Sequence, residues 1–132
     1  MVVFINGKYI DKSDARISPD DRGFLFGDGL YEVVLAYSGK PFRLEEHINR
    51  LKRGCEFAGI NLENTDDINE ICHSLIERNS LKDNIANIYI QVTRGVYKRA
   101  HRFPPEDVMP TVYIAATEFS PNRVHQKYGI KI

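Results

Sequence analysis

Tryptophan is absent from this 132-residue chain, and cysteine occurs only twice, at Cys55 and Cys72. Two thiols are too few for a disulfide framework, and their spacing fits no metal-ligand motif, so no metal site is expected. A reducing, cytoplasmic setting is the expectation. Net charge is missing too. The 18 lysines and arginines balance 18 aspartates and glutamates, which argues against a general attraction to nucleic acid or an anionic membrane. No apolar run approaches the ~18 residues that a membrane-spanning helix needs. The opening segment Met1 to Gly7 has no basic n-region and no small-residue cleavage site, so a signal peptide is not expected. What is present is 42% hydrophobic residues, 11% of the chain being aromatic. That is enough for one packed domain.

Punctuation then divides the chain. Asn6-Gly7 between two β-rich runs reads as a hairpin turn. Asp11 to Gly29, with Ser18-Pro19-Asp20-Asp21 and three glycines, reads as one long irregular connection. Leu30 to Tyr37 is nearly continuous apolar sequence, suited to a strand covered on both faces. Ser38-Gly39-Lys40 turns it back. A helix is expected from about Leu44 to Ala58, with Leu44, Ile48, Leu51 and Cys55 on one stripe and Gly59 as its stop. A second helix should start near Thr65, a candidate N-cap, and bury Ile68, Ile71, Cys72, Leu75 and Ile76. Strands are expected over Ile85 to Thr93 and Thr111 to Thr117, followed by a polar stretch to Gln126 and a last extended piece to Ile132. Strands, then a helix pair, then strands predict an α+β fold. The expected form is a two-layer sandwich, an antiparallel-rich sheet with a pair of helices on one face.

The strongest local charge anomaly is Arg94 to Arg102, with four positive charges and no acid. As an arginine-rich loop at a strand end it can recognise a carboxylate or phosphate. A solvated basic turn explains the same residues equally well. Glu32 is the one carboxylate in an apolar strand, so it should meet an arginine, line a cavity, or reach solvent at a strand edge. Tyr31 points to the opposite face of that strand, either as core or as a phenol donor. Arg50 lies one helical turn from Glu46 and His47, which allows an i−4 ion pair with Glu46 or a role as phosphate ligand. His47 reads as a satisfied helix histidine, and both cysteines as core thiols. His73 and His125 have no evident partners.

Three stretches together carry a resemblance. They are Asp21-Arg22-Gly23-Phe24-Leu25-Phe26-Gly27-Asp28-Gly29-Leu30-Tyr31-Glu32-Val33-Val34, then Glu46-His47-Ile48-Asn49-Arg50-Leu51, then Gln91-Val92-Thr93-Arg94-Gly95 continuing to Arg99-Ala100-His101-Arg102-Phe103-Pro104. In order and approximate spacing the chain resembles the fold-type IV (class IV) pyridoxal-phosphate enzymes. The Arg-Ala-His-x-Phe-Pro block is most similar to the D-amino acid (D-alanine) aminotransferase branch. The first two blocks are similar across the class, which includes branched-chain aminotransferases and aminodeoxychorismate lyases. The resemblance implies pyridoxal 5'-phosphate as cofactor, with Arg50 on its phosphate, and D-amino acids and 2-oxo acids such as 2-oxoglutarate as substrates. It also implies a homodimer in which Tyr31, with Arg99 and His101 from the neighbouring subunit, traps the substrate carboxylate. Lys98 departs from the proline that the D-branch commonly places before the arginine.

The resemblance also implies something missing. The family's Schiff-base lysine belongs to a second domain, and neither Lys127 nor Lys131 sits in a matching motif. Residues 1–120 are therefore expected to be the N-terminal small domain of a transaminase. Residues 121–132 would begin the link to an absent cofactor domain, leaving this chain alone inactive. A standalone dimerisation or anion-binding module is the alternative from another class.

Overall fold

Asn6 and Gly7 both take positive φ, 45° and 85°, the backbone that lets a two-residue turn follow the twist of its strands. The turn closes β1 (Val2–Ile5) on β2 (Lys8–Asp11). The computed structural model describes residues 1–62, 65–105, 107–121, 127 and 129, with backbone only at 65 and 66. The cap expected at the Thr65 side chain, the extended piece at 128–132 and most of the segment 121–132 lie outside the described residues.

The remaining strands are β3 (Gly29–Tyr37), β4 (Lys40–Pro41), β5 (Ile85–Thr93) and β6 (Thr111–Glu118). They form one six-stranded sheet in the order β2-β1-β6-β5-β3-β4, with every pairing antiparallel. Between β4 and β5 run the two long helices, α2 (Leu44–Ala58) and α3 (Thr65–Arg78). They cover one face only. Leu44, Ile48, Leu51 and Cys55 from α2, and Ile68, Ile71, Cys72, Leu75 and Ile76 from α3, pack on Val34, Ala36, Ala86, Ile88, Ile90, Val92, Ile114 and Ala116. The period-3.6 stripes of the helices thus meet the period-2 face of the sheet. Burial in this layer pushes the thiols up, Cys55 to about 11 and Cys72 to about 12, so both are unreactive core side chains.

The opposite face is only partly covered. Val3, Ile5 and Ala115 are buried there, whereas Tyr31, Val33 and Tyr37 on β3 are exposed. The expectation that β3 is covered on both faces is corrected: alternate residues Glu32, Val34 and Ala36 are buried and their neighbours are not. Asn87 on β5, paired with Leu35 on β3, carries a buried Oδ1 with no hydrogen-bond partner among the described residues.

The connection 11–29 also differs from the irregular run expected. It holds a 3-10 turn (Lys12–Asp14) and a short helix, α1 (Arg22–Phe26). Asp21 caps α1 by accepting from the Gly23 N–H at 2.8 Å, and Gly27 stops it in the left-handed conformation. A Cβ on Gly23 would fall 2.3 Å from Thr93 Cγ2, so α1 lies tight against β5 because position 23 has no side chain. Gly95, just beyond β5, has φ 97°, and a Cβ there would fall 1.9 Å from the Met109 carbonyl oxygen. Only glycine fits that crossing, which draws together the two ends of the loop 95–109.

Candidate functional site

Glu32 and Tyr31 are adjacent on β3 and leave it in opposite directions. Glu32 is turned under α2 and is 3% exposed. Arg50 grips it with two donors, Nε to Oε1 and Nη2 to Oε2, each at 2.5 Å. His47, one turn earlier on α2, donates from Nδ1 to Oε2 at 2.8 Å. Burial alone would raise the Glu32 carboxyl, but the Arg50 and His47 contacts outweigh it and hold the group below its ordinary range. The same pairing raises Arg50 further. The i−4 pairing of Arg50 with Glu46 does not form, because Glu46 accepts from Arg43 Nε at 3.0 Å instead. The Arg50 side chain is 66% exposed, and its Nη1 makes no hydrogen bond among the described residues. A cleft of about 410 Å³ joins Arg50 and Glu32 to Tyr31, Val33 and Gly54.

Tyr31, 65% exposed, also borders a second cleft of about 460 Å³ on the uncovered sheet face. Strand register sets its floor, with Tyr31 opposite Gln91 and Gln91 opposite Tyr113. Its wall is α1, through Gly23, Phe24 and Gly27. Tyr89 lies between Tyr31 and Tyr113, with ring centroids 6.0 and 6.4 Å away. Burial, then the neighbouring phenol, raises both Tyr89 and Tyr113, so these hydroxyls stay protonated. A further cavity of about 640 Å³ opens elsewhere, beside the β1–β2 turn and α3, and includes none of the four candidate site residues.

The basic segment 94–102 divides in two. Arg94 is buried, donating from Nε to Asp28 at 2.8 Å and from Nη1 and Nη2 to the carbonyls of Gly59 and Ala58 at the end of α2. A single anion-recognising cluster is therefore not what forms, since Arg94 is engaged inside the protein. Arg22 joins the same carboxylate, Nε to Asp28 at 2.7 Å. The Asp28 carboxyl, raised by burial, is lowered more by hydrogen bonds from Arg94 and Arg22 and ends below its ordinary value. Beneath it Asp21, 1% exposed, accepts from Thr93 Oγ1 at 3.0 Å and Thr111 Oγ1 at 2.6 Å, fixing α1 to β5 and β6.

Arg99 and His101 are exposed on the loop beyond, beside Phe26: the Arg99 guanidinium lies 5.6 Å from that ring and the His101 ring 5.8 Å. The structure thus brings Tyr31 and Arg50 to one cleft, and Arg99 and His101 to another place across α1. Among the described residues neither Arg99 nor His101 lines the two clefts beside Tyr31. No lysine lines either cleft beside Tyr31, and no group of three or more His, Cys, Asp or Glu could hold a metal ion among these residues. No helix among them is long and apolar enough to cross a membrane.

Sheet and helix pair together are an α+β architecture found in solved aminotransferases. A branched-chain amino acid aminotransferase of Escherichia coli superposes with a TM-score of 0.83 at 23% identity, over 92% of this chain and 40% of that one. A 4-amino-4-deoxychorismate lyase from Pseudomonas aeruginosa gives 0.72 at 29% identity, over 95% and 43%. The family model described as amino-transferase class IV matches residues 29–131, and the chain belongs to that family. It is 41% identical over 111 residues to a D-alanine aminotransferase of Staphylococcus epidermidis, an alignment covering 83% of this chain and 39% of that protein. The chain thus spans less than half the length of the relatives it matches.

Proposed function

We propose that residues 1–120 are the N-terminal domain of a pyridoxal 5'-phosphate-dependent transaminase for D-amino acids, with 121–132 leading into a second domain that supplies the cofactor's lysine. D-alanine and 2-oxoglutarate are the expected substrates, giving pyruvate and D-glutamate. The observation that carries this is Arg50, locked on buried Glu32 by two of its nitrogens with the third left for an anion, beside Tyr31. A guanidinium edge of fixed direction suits a phosphate, so these residues fit the phosphate end of the cofactor. The uncovered sheet face, with exposed Tyr31, Val33 and Tyr37, supports a second domain over it.

When bound, the cofactor supplies the electron sink through which an amino group is exchanged for a keto oxygen. The chain's own part is to hold and orient. Arg50 binds the phosphate, and Glu32 with His47 keeps that guanidinium from turning away. Tyr31 donates its phenol proton to the substrate carboxylate. Arg99 and His101 complete the carboxylate trap of the neighbouring subunit in a homodimer, which accounts for their lying across α1 from their own Tyr31.

Titration of pyridoxal 5'-phosphate and of pyridoxal against the chain tests the first part. Binding should require the phosphate and should be lost in Arg50→Ala; equal binding of both compounds would overturn the assignment. In the full-length protein Arg99→Ala should raise the KM for D-alanine roughly tenfold or more while the cofactor stays bound. Pyruvate release from aminodeoxychorismate, or preference for L-branched substrates, would move the protein to another branch of its class. Absence of transaminase activity with bound cofactor would favour a non-catalytic module.

A further inference from the structure

The residues holding Arg99 and His101 belong to α1. We infer that Arg22 and Phe26 are positioning residues for the Arg99–His101 pair, a two-point clamp on the loop that presents it. This rests on the carboxylate-trap reading above. The first point is a backbone grip. Arg22 Nη1 donates to the carbonyl of Ala100, the residue between the pair, at 2.9 Å. Its Nε is held on Asp28 at 2.7 Å, and the Arg22 backbone N–H donates to Gly95 O at 2.9 Å, so both ends of the residue are fixed. The second point is a platform. Phe26, one turn on, has Arg22 over its ring at 4.7 Å, Arg99 at 5.6 Å and the His101 ring at 5.8 Å. Two cations on one aromatic ring need a third group to offset their repulsion, and Asp28 provides it for Arg22.

This arrangement solves a physical problem. Arg99 and His101 are exposed on a loop, where a long side chain samples many rotamers and must be ordered when a ligand binds. A clamp of one carbonyl and one ring removes much of that disorder in advance. Arginine is required at 22 because its planar fork reaches Asp28 and Ala100 in different directions at once, whereas an ammonium is a single point charge. Because α1 also walls the Tyr31 cleft through Gly23, Phe24 and Gly27, one short helix sets both a chain's own cleft and the loop it offers outward.

Two variants preserve the packing and remove the clamp: Arg22→Lys keeps the charge beside Asp28, and Phe26→Leu keeps an apolar filler. Alanine-methyl NMR of the full-length protein reads the clamp directly. The Ala100 methyl order parameter should fall in both variants, while those of Ala36, Ala86 and Ala116 in the sheet stay unchanged. In kinetics each variant should raise the KM for D-alanine roughly tenfold, with kcat within about twofold and cofactor affinity unaltered. An Ala100 order parameter unchanged in both variants would overturn the clamp, whatever the kinetics. Loss of order at Ala100 with an unchanged KM would uphold the clamp and overturn the trap reading instead. Loss of order at Ala36, Ala86 and Ala116 as well would overturn a specific positioning role in favour of a general structural one.

Discussion

Two carboxylates on either side of Tyr31 each hold two basic side chains, with opposite outcomes. Around Asp28 everything is enclosed: Arg22 and Arg94 have side chains 4% and 10% exposed, and their nitrogens go to Asp28 and to the carbonyls of Ala100, Ala58 and Gly59. Around Glu32 the carboxylate is deeper still, 3% exposed against 12% for Asp28, but Arg50 is 66% exposed and keeps one nitrogen open among the described residues. The same chemical unit serves in one place as an internal rivet and in the other leaves a guanidinium edge turned to solvent, as the proposed phosphate role requires. What separates them is whether the guanidinium's remaining donors find protein carbonyls.

The comparison can be broken in graded ways. Asp28→Ala should cost most, roughly 3–5 kcal/mol in urea unfolding, because two buried guanidinium groups lose their counter-charge together. A loss below about 1 kcal/mol would mean that Arg22 and Arg94 reach water and the rivet is not one. Glu32→Gln should cost less, about 1–3 kcal/mol, since Arg50 can turn to solvent. It should also weaken pyridoxal 5'-phosphate binding roughly tenfold, as a released side chain must be ordered again on binding.

Acid should separate the two clusters in turn. Both carboxyls sit below their ordinary values of 4.5 and 3.8 when folded. Each therefore contributes stability in full above its ordinary value and loses it as pH falls through the lowered one. Unfolding midpoints should begin to drop below about pH 4.5, and Glu32→Gln should remove the earlier part of that fall while leaving the part due to Asp28. Retention of the whole fall in Glu32→Gln would assign it elsewhere. The smallest effect on stability is expected from Arg50→Lys, within about 1 kcal/mol, accompanied by weaker phosphate binding because the fork is gone. Unchanged binding would show that charge alone suffices at this position.

Much of the frame is legible in the sequence, because burial on one face writes a period into it. Helix α2 spans Leu44–Ala58 and strand β5 spans Ile85–Thr93, both as the stripes and turn residues indicate. Strand β3 shows the limit of that signal. Tyr31, Val33 and Tyr37 are apolar enough to imply cover, yet among the described residues they stay exposed, and a sequence pattern cannot say whether a cover comes from the same domain. Helix α1 escaped for another reason: five residues are too short to show a period. Its cap Asp21, its stop Gly27 and the i, i+4 pair Arg22 and Phe26 were the available signs. At the site, the meeting of Glu32 with an arginine was anticipated as one option. The partner could not be, because Arg50 reaches across 18 residues of sequence, whereas helix spacing points to Glu46. Arg94 and Arg99 look alike as letters, and only the fold separates the buried one from the exposed one.

The crossing of Gly95 under the Met109 carbonyl has a consequence for how this protein can change over generations. The neck of the loop is fastened by main-chain geometry and by Asp21, Thr93 and Thr111, none of which lies in the stretch 96–105. Outside the clamped residues 99–101, that stretch can therefore change, at Lys98 for example, while the sheet beneath keeps its register. The fastening of the loop and the outer stretch it carries are thus written in separate parts of the sequence, joined at a residue that has no side chain to alter.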